Sequence, residues 1–405
     1  MLVSFSVSNF KSILDTVELN MVAADEVDQS FPSTLIKGEG FSLNSLSVIY
    51  GPNGSGKSSI LEAFRYFESI FNSFDQLKRP PKNKLALDDP TRMGVKFIEN
   101  GNYDVSLTIF DDEAECIISK YINSRWEMVK IISRRSLSLF HSTLEEARGT
   151  EEIRDLSSFL RKTIFFDSID DSMVNTDING ELKNVIGEEL MKEISSSDNP
   201  ARNIFFFDNS NVQSKRTMFQ EILTHLGIEV EGVEYKTLEN EREIDGEKCQ
   251  VKILVPDKLI YKDYEVSLKD ESSGTKRLVK LAHSLSLGLL MKRCLFVIDE
   301  LDAGLHDVLA SEIINLISDR NGNNPTLSGE RPVFQLIFTT HNTVLLKEEV
   351  LRRDQIWFTE MKENRTTDLF SLSDLNGPAL ENYEEHYLKG DYGALPHIKR
   401  WEIKE

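Results

Sequence analysis

The sequence predicts an α/β fold with a parallel core sheet, an antiparallel β layer and a helical insertion. Three observations predict it. Leu46, Val48 and Ile49 read as a buried strand that enters the glycine-rich stretch Gly51-Pro52-Asn53-Gly54-Ser55-Gly56-Lys57-Ser58, after which Ile60, Phe64, Phe67 and Phe71 recur at helical spacing. Cys294–Ile298 is a continuous apolar run closed by Asp299 and Glu300. Phe334–Phe338 reads as a third buried strand, closed by Thr339, Thr340 and His341. Unbroken apolar runs suit strands covered on both faces, and ligands bind at the carboxyl ends of such strands.

Taken along the chain, Leu2–Ser8 alternates like an antiparallel strand and ends in the turn Asn9-Phe10-Lys11-Ser12. The stretch from Gly51 to Ser58 has the spacing of a phosphate-binding P-loop. Its glycines let successive backbone N–H groups turn inward, Lys57 brings a positive charge to the β- and γ-phosphates, and the Ser58 hydroxyl can ligate Mg²⁺. The helix that follows turns its positive end toward the phosphates, with Ser59 in its first turn. This part of the chain is therefore expected to bind a nucleoside triphosphate.

Residues 95–135 alternate apolar with polar around an Asn100-Gly101 turn and predict the antiparallel layer. From 136 to 235 the character shifts to charged helical segments, Thr143–Arg161 and Met218–Leu226 among them. The expected organisation is 1–135 as one lobe of a head, 136–235 as a helical insertion or lid, and 236–405 as the second lobe. Glu181–Ile194 and the acidic run 238–247 read as solvated faces. Gln76 is available as a glutamine contact to the nucleotide, though its surroundings do not define one.

Glu271–Leu278 (ESSGTKRL) precedes a helical apolar face at Leu278, Leu281, Ala282, Leu285 and Leu289. Ser272, Ser273 and Gly274 thus lie at a helix N-terminus suited to an anion. Asp299 is placed to hold Mg²⁺, directly or through water, and Glu300 to orient and deprotonate an attacking water. His341, at a strand's carboxyl end, can reach a γ-phosphate. After it come expected strands at Ile356–Glu360 and Leu369–Leu372, with Asp354, Asp368 and Asp374 read as surface carboxylates.

Composition bounds the setting. The 405 residues carry 47 Lys and Arg against 67 Asp and Glu, a net charge of −20. Such a chain should not coat nucleic acid non-specifically, although a local basic groove remains open. Cys116, Cys249 and Cys294 are widely separated, without metal-ligand spacing, and are expected as reduced thiols. Residues 1–20 lack the apolar core of a signal peptide, and no apolar stretch approaches a membrane span. A cytoplasmic protein without membrane contact is expected.

The order of P-loop, ESSGTKRL, the acidic pair Asp299-Glu300, Leu301-Asp302-Ala303-Gly304-Leu305-His306 and His341 resembles the ABC-type ATPase superfamily, with its signature, Walker B, D-loop and switch histidine. Ser273 departs from the transporter consensus by replacing the first glycine of the central pair. The opening LVSFSVSNFKS is similar to that of RecF-like, SMC-like and OLD-like ATPases, and makes Lys11 a candidate nucleotide contact by that resemblance. The closing patterns VLRRDQIWFTE and YLKGDYGALP narrow it to small bacterial ABC-type AAA-family ATPases paired with RloB-like or other nuclease partners in phage-defence operons. That resemblance implies Mg²⁺-dependent ATP hydrolysis and a homodimer, or higher oligomer, with ATP sandwiched between Gly51–Ser58 of one chain and Ser272–Gly274 of the other. It also implies control of a separate effector, with nucleic acid reached through the partner or a local groove. The residues after His341 are too few for the nuclease domain of OLD-like proteins, so any nuclease is expected in another polypeptide. A RecF-like repair ATPase is the alternative reading, and the nucleotide-binding subunit of a transporter a weaker one.

Overall fold

The structure is a computed structural model and describes residues 1–24, 34–38, 40–72, 79–166, 203–205, 212–244, 247–289, 291–322, 327, 331–346, 351–375 and 382–396. Strands β1 (Leu2–Ser8), β2 (Val17–Asn20), β3 (Leu35–Lys37), β4 (Ser42–Asn44) and β5 (Leu46–Tyr50) lead into helix α1 (Lys57–Asn72). A meander of β6 (Thr91–Ile98), β7 (Asn102–Ile109), β8 (Ala114–Ile122) and β9 (Arg125–Arg134) follows, then α2 (Leu137–Ala147), α3 (Glu151–Arg161) and β10 (Thr163–Phe166). Next come β11 (Asn203–Phe205), α4 (Val212–His225), β12 (Gly232–Ile244), β13 (Glu247–Ile260), β14 (Glu265–Ser267), α5 (Ser273–Leu289) and β15 (Arg293–Ile298). The chain continues through α6 (Asp307–Asn321), β16 (Val333–Thr339), β17 (Ile356–Met361), β18 (Thr367–Ser371) and α7 (Tyr383–Lys389).

The core sheet has the order β10-β15-β16-β5-β17-β18. It is parallel from β10 through β17, and β18 returns antiparallel as a hairpin. Every side chain of β5 and β16 is buried, because layers cover both faces. The three strands that carry the motifs, β15, β16 and β5, are consecutive neighbours, so their carboxyl ends open at one edge of the sheet.

On one face, Ile49, Val297 and Ile337 pack with Ile60, Phe64 and Phe67 of α1. Beyond α1 lies a second sheet, ordered β2-β1-β6-β7-β8-β9 and antiparallel throughout, whose Phe5, Val95 and Val105 join the same core. The predicted β layer therefore includes the N-terminal strand. On the other face, Val48, Phe296 and Phe338 pack with Leu281 and Leu285 of α5, Ile313 and Ile317 of α6, and Phe219 and Leu223 of α4.

Three expectations need correction. The segment 136–235 holds helices, but Thr163–Phe166 returns as a strand to the edge of the core sheet, pairing in parallel with Leu295–Ile298. That run is too short to show periodicity, and among the described residues the neighbouring strand gives its backbone groups their ladder partners. The helix expected over Thr143–Arg161 is broken after Ala147; Thr150 turns its N–H and hydroxyl back onto the Ala147 carbonyl, and α3 restarts with Glu151 and Glu152 in its first turn. Asp354 is buried, at 8% exposure, instead of lying on the surface. It pairs with the equally buried Arg352 at 3.1 Å and accepts the Ala24 N–H, while Arg352 also donates to Thr34 and Asn44. A buried guanidinium needs such a counter-charge. Of the acidic run 238–247, residues 238–244 fall on β12 and Glu247 opens β13, whereas residues 245–246, Glu181–Ile194 and Gln76 lie outside the described residues.

Candidate functional site

The glycine loop is held from below by the C-terminal hairpin. Thr359 of β17 bonds the Ser55 hydroxyl at 2.6 Å and donates to the Tyr50 carbonyl. Thr367 of β18 donates to the Ser55 carbonyl at 2.9 Å, while its N–H binds the Ser12 carbonyl. Ser12 in turn reaches Ser59 at 3.1 Å. Two glycines are obligatory in this packing. A Cβ on Gly51 would stand 2.6 Å from the Thr359 carbonyl oxygen, and one on Gly56, at φ +104°, would stand 2.7 Å from the Thr367 methyl. Gly54, at φ +78°, has open space where its Cβ would point, so the crest of the loop can be approached closely.

The loop opens α1, whose first turn has no acidic residue, leaving the positive helix end for an anion. Lys57 is buried and donates to the carbonyls of Gly51 (2.8 Å) and Pro52 (3.2 Å). Burial pushes its ammonium down to about 8, against the pull of the Asp299, Glu300 and Asp302 carboxylates. The P-loop lysine and the acidic pair thus share one electrostatic site.

At the end of β15, Thr339 of the neighbouring strand β16 organises both acids. Its hydroxyl donates to Asp299 Oδ1 at 2.5 Å and accepts the Glu300 N–H at 2.7 Å. Asp299 is buried, and its N–H is satisfied by the Phe166 carbonyl of β10. Glu300 adopts φ +49°, a left-handed conformation that costs a non-glycine residue about 1–2 kcal/mol. Arg277 of α5 donates to the Glu300 carbonyl and, at 3.4 Å, to that of Asp299, with its guanidinium 5.1 Å over the Phe166 ring. The signature helix is thereby tied within the chain to the backbone of the acidic pair.

The N-terminus of that helix is exposed at Ser272 and Ser273. Ser272 Oγ accepts the Thr275 N–H at 3.1 Å, as an N-cap. A Cβ on Gly274 would meet the Gly304 carbonyl at 3.2 Å, so the start of α5 packs against the backbone of the Leu301–His306 loop. Asp302 in that loop accepts the His341 backbone N–H at 3.3 Å. Partial burial and then the Lys57 charge hold the His341 imidazole below its ordinary pKa, favouring the neutral form. Lys11, at φ +49°, forms an ion pair with Glu62 of α1; its carbonyl accepts from Asn83, and Asn9 is clasped by the same loop through Ala86 and Asp89.

These residues fit a nucleoside triphosphate and a divalent ion: a cradle that admits no Cβ at Gly51 or Gly56, a buried ammonium, and an ordered carboxylate. Among the described residues no cluster of three or more His, Cys, Asp or Glu could hold a metal. Ser58 and Asp299 alone suit Mg²⁺, which takes one or two protein ligands together with phosphate oxygens and water. The roles of Thr339, Thr359, Thr367 and Arg277 carry no sequence signal of their own: each threonine looks like any residue of a strand or its end, and Arg277 like one of two cations on a helix turn.

Residues 46–347, from β5 past His341, match the family described as "AAA domain, putative AbiEii toxin, Type IV TA system". No curated protein matches the chain. Among solved structures, the chain is similar at 14% identity to one described as an Smc head bound to the C-terminal winged-helix domain of ScpA (TM-score 0.48, covering 91% of this chain and 97% of that one). The SMC head domain from Thermotoga maritima is 16% identical (TM-score 0.40, 91% and 98%). An Smc head with an extended coiled coil, bound to the C-terminal domain of ScpA derived from Pyrococcus furiosus, is 13% identical (TM-score 0.43, 92% and 97%). Among the described residues no helix is long and apolar enough to cross a membrane.

Proposed function

The chain belongs to the AAA-domain family that its residues 46–347 match, and we propose that this P-loop ATPase is a Mg²⁺-dependent, ATP-hydrolysing switch that controls a separate effector. The observation that carries the switch reading is the link from the signature helix to the catalytic backbone through Arg277 and the Glu300 and Asp299 carbonyls. Anything that moves the exposed end of α5 is felt at Glu300. The family's description as a putative toxin of a toxin–antitoxin system supports a role in anti-phage defence of the abortive-infection kind, and a nuclease is the effector class this reading assigns. A cytoplasmic location belongs to the same reading.

In this reading the loop amides and Lys57 bind the phosphates, and Ser58 with Asp299 holds Mg²⁺. When bound, the ion supplies neutralisation of the phosphate charge. Glu300 takes a proton from the attacking water, held at the right place by Thr339 and Arg277. Neutral His341 can donate to a γ-phosphate oxygen without adding charge. Ser272–Gly274 begin α5, with Ser272 and Ser273 exposed, and would complete the site of a second copy, giving two composite sites across a two-fold axis.

The test is nucleotide-dependent assembly. Glu300→Gln should bind ATP, fail to turn it over, and accumulate as a dimer in native mass measurement. Lys57→Ala should lose binding, and Ser273→Arg should bind ATP as a monomer. Glu300→Gln that stays monomeric at saturating ATP, or that hydrolyses at the wild-type rate, overturns the proposal.

A further inference from the structure

The outer edge of the antiparallel sheet carries an apolar surface that the nucleotide site does not use. Cys116 and Ile118 of β8 point into the core, so Ile117, Ser119 and Tyr121 point outward. Their partners on β9 are Ile131, Met128 and Trp126. A bulge makes this possible. Met128 pairs with Ser119 and Lys130 with Ile118, leaving Val129 without a cross-strand partner and packed on the core. Without the extra residue, Ile131 would fall on the opposite face from Trp126 and Met128. With it, Tyr121 (45% exposed), Trp126 (48%), Met128 (60%) and Ile131 (50%) share one face, and the Tyr121 and Trp126 rings meet edge-on at 5.4 Å.

β9 is also the last strand of its sheet. Apart from Arg134 on the Ser133 carbonyl, the described residues give its backbone no partner beyond β8. Its charge is opposite to that of the chain. Arg125–Arg135 holds Arg125, Lys130, Arg134 and Arg135 against Glu127 alone, in a protein of net charge −20.

We propose that β9 is the docking edge for the effector: an extended segment of a partner protein, alternating apolar and acidic residues, adds as a strand beside β9 with its apolar side chains on Trp126, Met128 and Ile131. The assignment rests on the reading that a separate effector follows the switch. Main-chain bonds to an open edge supply the attachment and the flanking side chains the selectivity. Aromatic residues and Met are enriched in such contacts. A second copy of this chain is disfavoured there, because two basic edges would meet. A nucleic acid is disfavoured because the outward face is apolar, with Lys130 and Arg134 in register with the inward-facing Ile118 and Ala114.

The experiment uses the full chain and two synthetic nine-residue peptides, one alternating Val and Ile with Glu, the other with Lys, beside a single-stranded oligodeoxynucleotide. Hydrogen exchange of the β9 amides and peptide affinity are read together. The Glu peptide should protect β9 and bind at least roughly tenfold more tightly than the Lys peptide. Trp126→Thr with Met128→Thr should weaken the Glu peptide at least roughly tenfold while ATP turnover stays at the wild-type rate. Ile131→Thr gives the same readout if the double variant misfolds. Absence of protection, equal affinity for both peptides, displacement by the oligonucleotide, or a self-association lost with the same substitutions overturns the proposal. Peptide docking that persists when no effector responds to ATP would instead count against the switch reading alone.

Discussion

Arg277→Met removes the guanidinium but keeps an apolar stem against the Phe166 ring. In the native protein the guanidinium donates to the Glu300 and Asp299 carbonyls from a half-buried position. A charge-assisted bond of this kind contributes about 1.5–3 kcal/mol. It opposes the roughly 1–2 kcal/mol that the left-handed Glu300 backbone costs. Without Arg277 the Glu300 N–H still donates to Thr339 and the Glu300 carbonyl still accepts the Ala303 N–H, but both of these are neutral bonds. Loss of about 2 kcal/mol from the positioned state lowers its population by about 30-fold, at a factor of ten per 1.4 kcal/mol. Turnover should therefore fall by about 10- to 100-fold. Among the described residues Arg277 meets the Glu300 and Asp299 carbonyls and the Phe166 ring, so the ATP dissociation constant should change by less than about threefold. Steady-state hydrolysis, together with calorimetric ATP binding and a thermal unfolding curve, separates the two effects. Arg277→Lys should recover part of the rate, since an ammonium can reach one carbonyl but not fork across two. Wild-type turnover in Arg277→Met refutes the coupling. So does a loss of ATP affinity that matches the loss of rate, which would mark Arg277 as a general structural support.

Two further outcomes follow from burial. Lys57 has its pKa lowered to about 8; below that pH it is charged in the free protein, and above it the neutral amine accumulates. Phosphates favour the ammonium, so ATP binding should take up a proton above about pH 8 and weaken by up to about tenfold per pH unit. Calorimetry in buffers of different ionisation enthalpy reads the uptake directly, and a zero uptake at pH 9 contradicts it. Asp354→Ala should destabilise the fold by about 3–5 kcal/mol, because Arg352 would keep a buried charge without its partner. Arg352→Met with Asp354→Leu should cost less than the single change in urea unfolding; a larger cost for the pair contradicts the charge argument.

The motif-bearing strands were legible because their signals are local. A buried parallel strand must be apolar on both faces, so Leu46–Tyr50, Cys294–Ile298 and Phe334–Phe338 stand out, and each is followed at once by the residues it presents. The glycine loop shows in the same way, since a positive φ and a close approach to Thr359 and Thr367 exclude other residue types. Lys57, Asp299, Glu300 and His341 could thus be named from order alone, together with their common end of the sheet.

What the chain order does not contain is which distant residues meet. Thr339 lies next to two acids forty positions upstream only because β15 and β16 are neighbours. Thr359 and Thr367 hold the loop because β17 pairs with β5. Thr163–Phe166 becomes a strand because β15 offers a free edge, and Asp354 is buried because Arg352 is. The same holds for β9, where a single extra residue decides which face Ile131 takes. Propensity and spacing act over a few residues, whereas hydrogen-bond satisfaction and charge pairing are settled between elements far apart in sequence. The sequence by itself determined the fold class and named Lys57, Asp299, Glu300 and His341 as candidates; the tertiary structure alone decided that they share one site and what positions them.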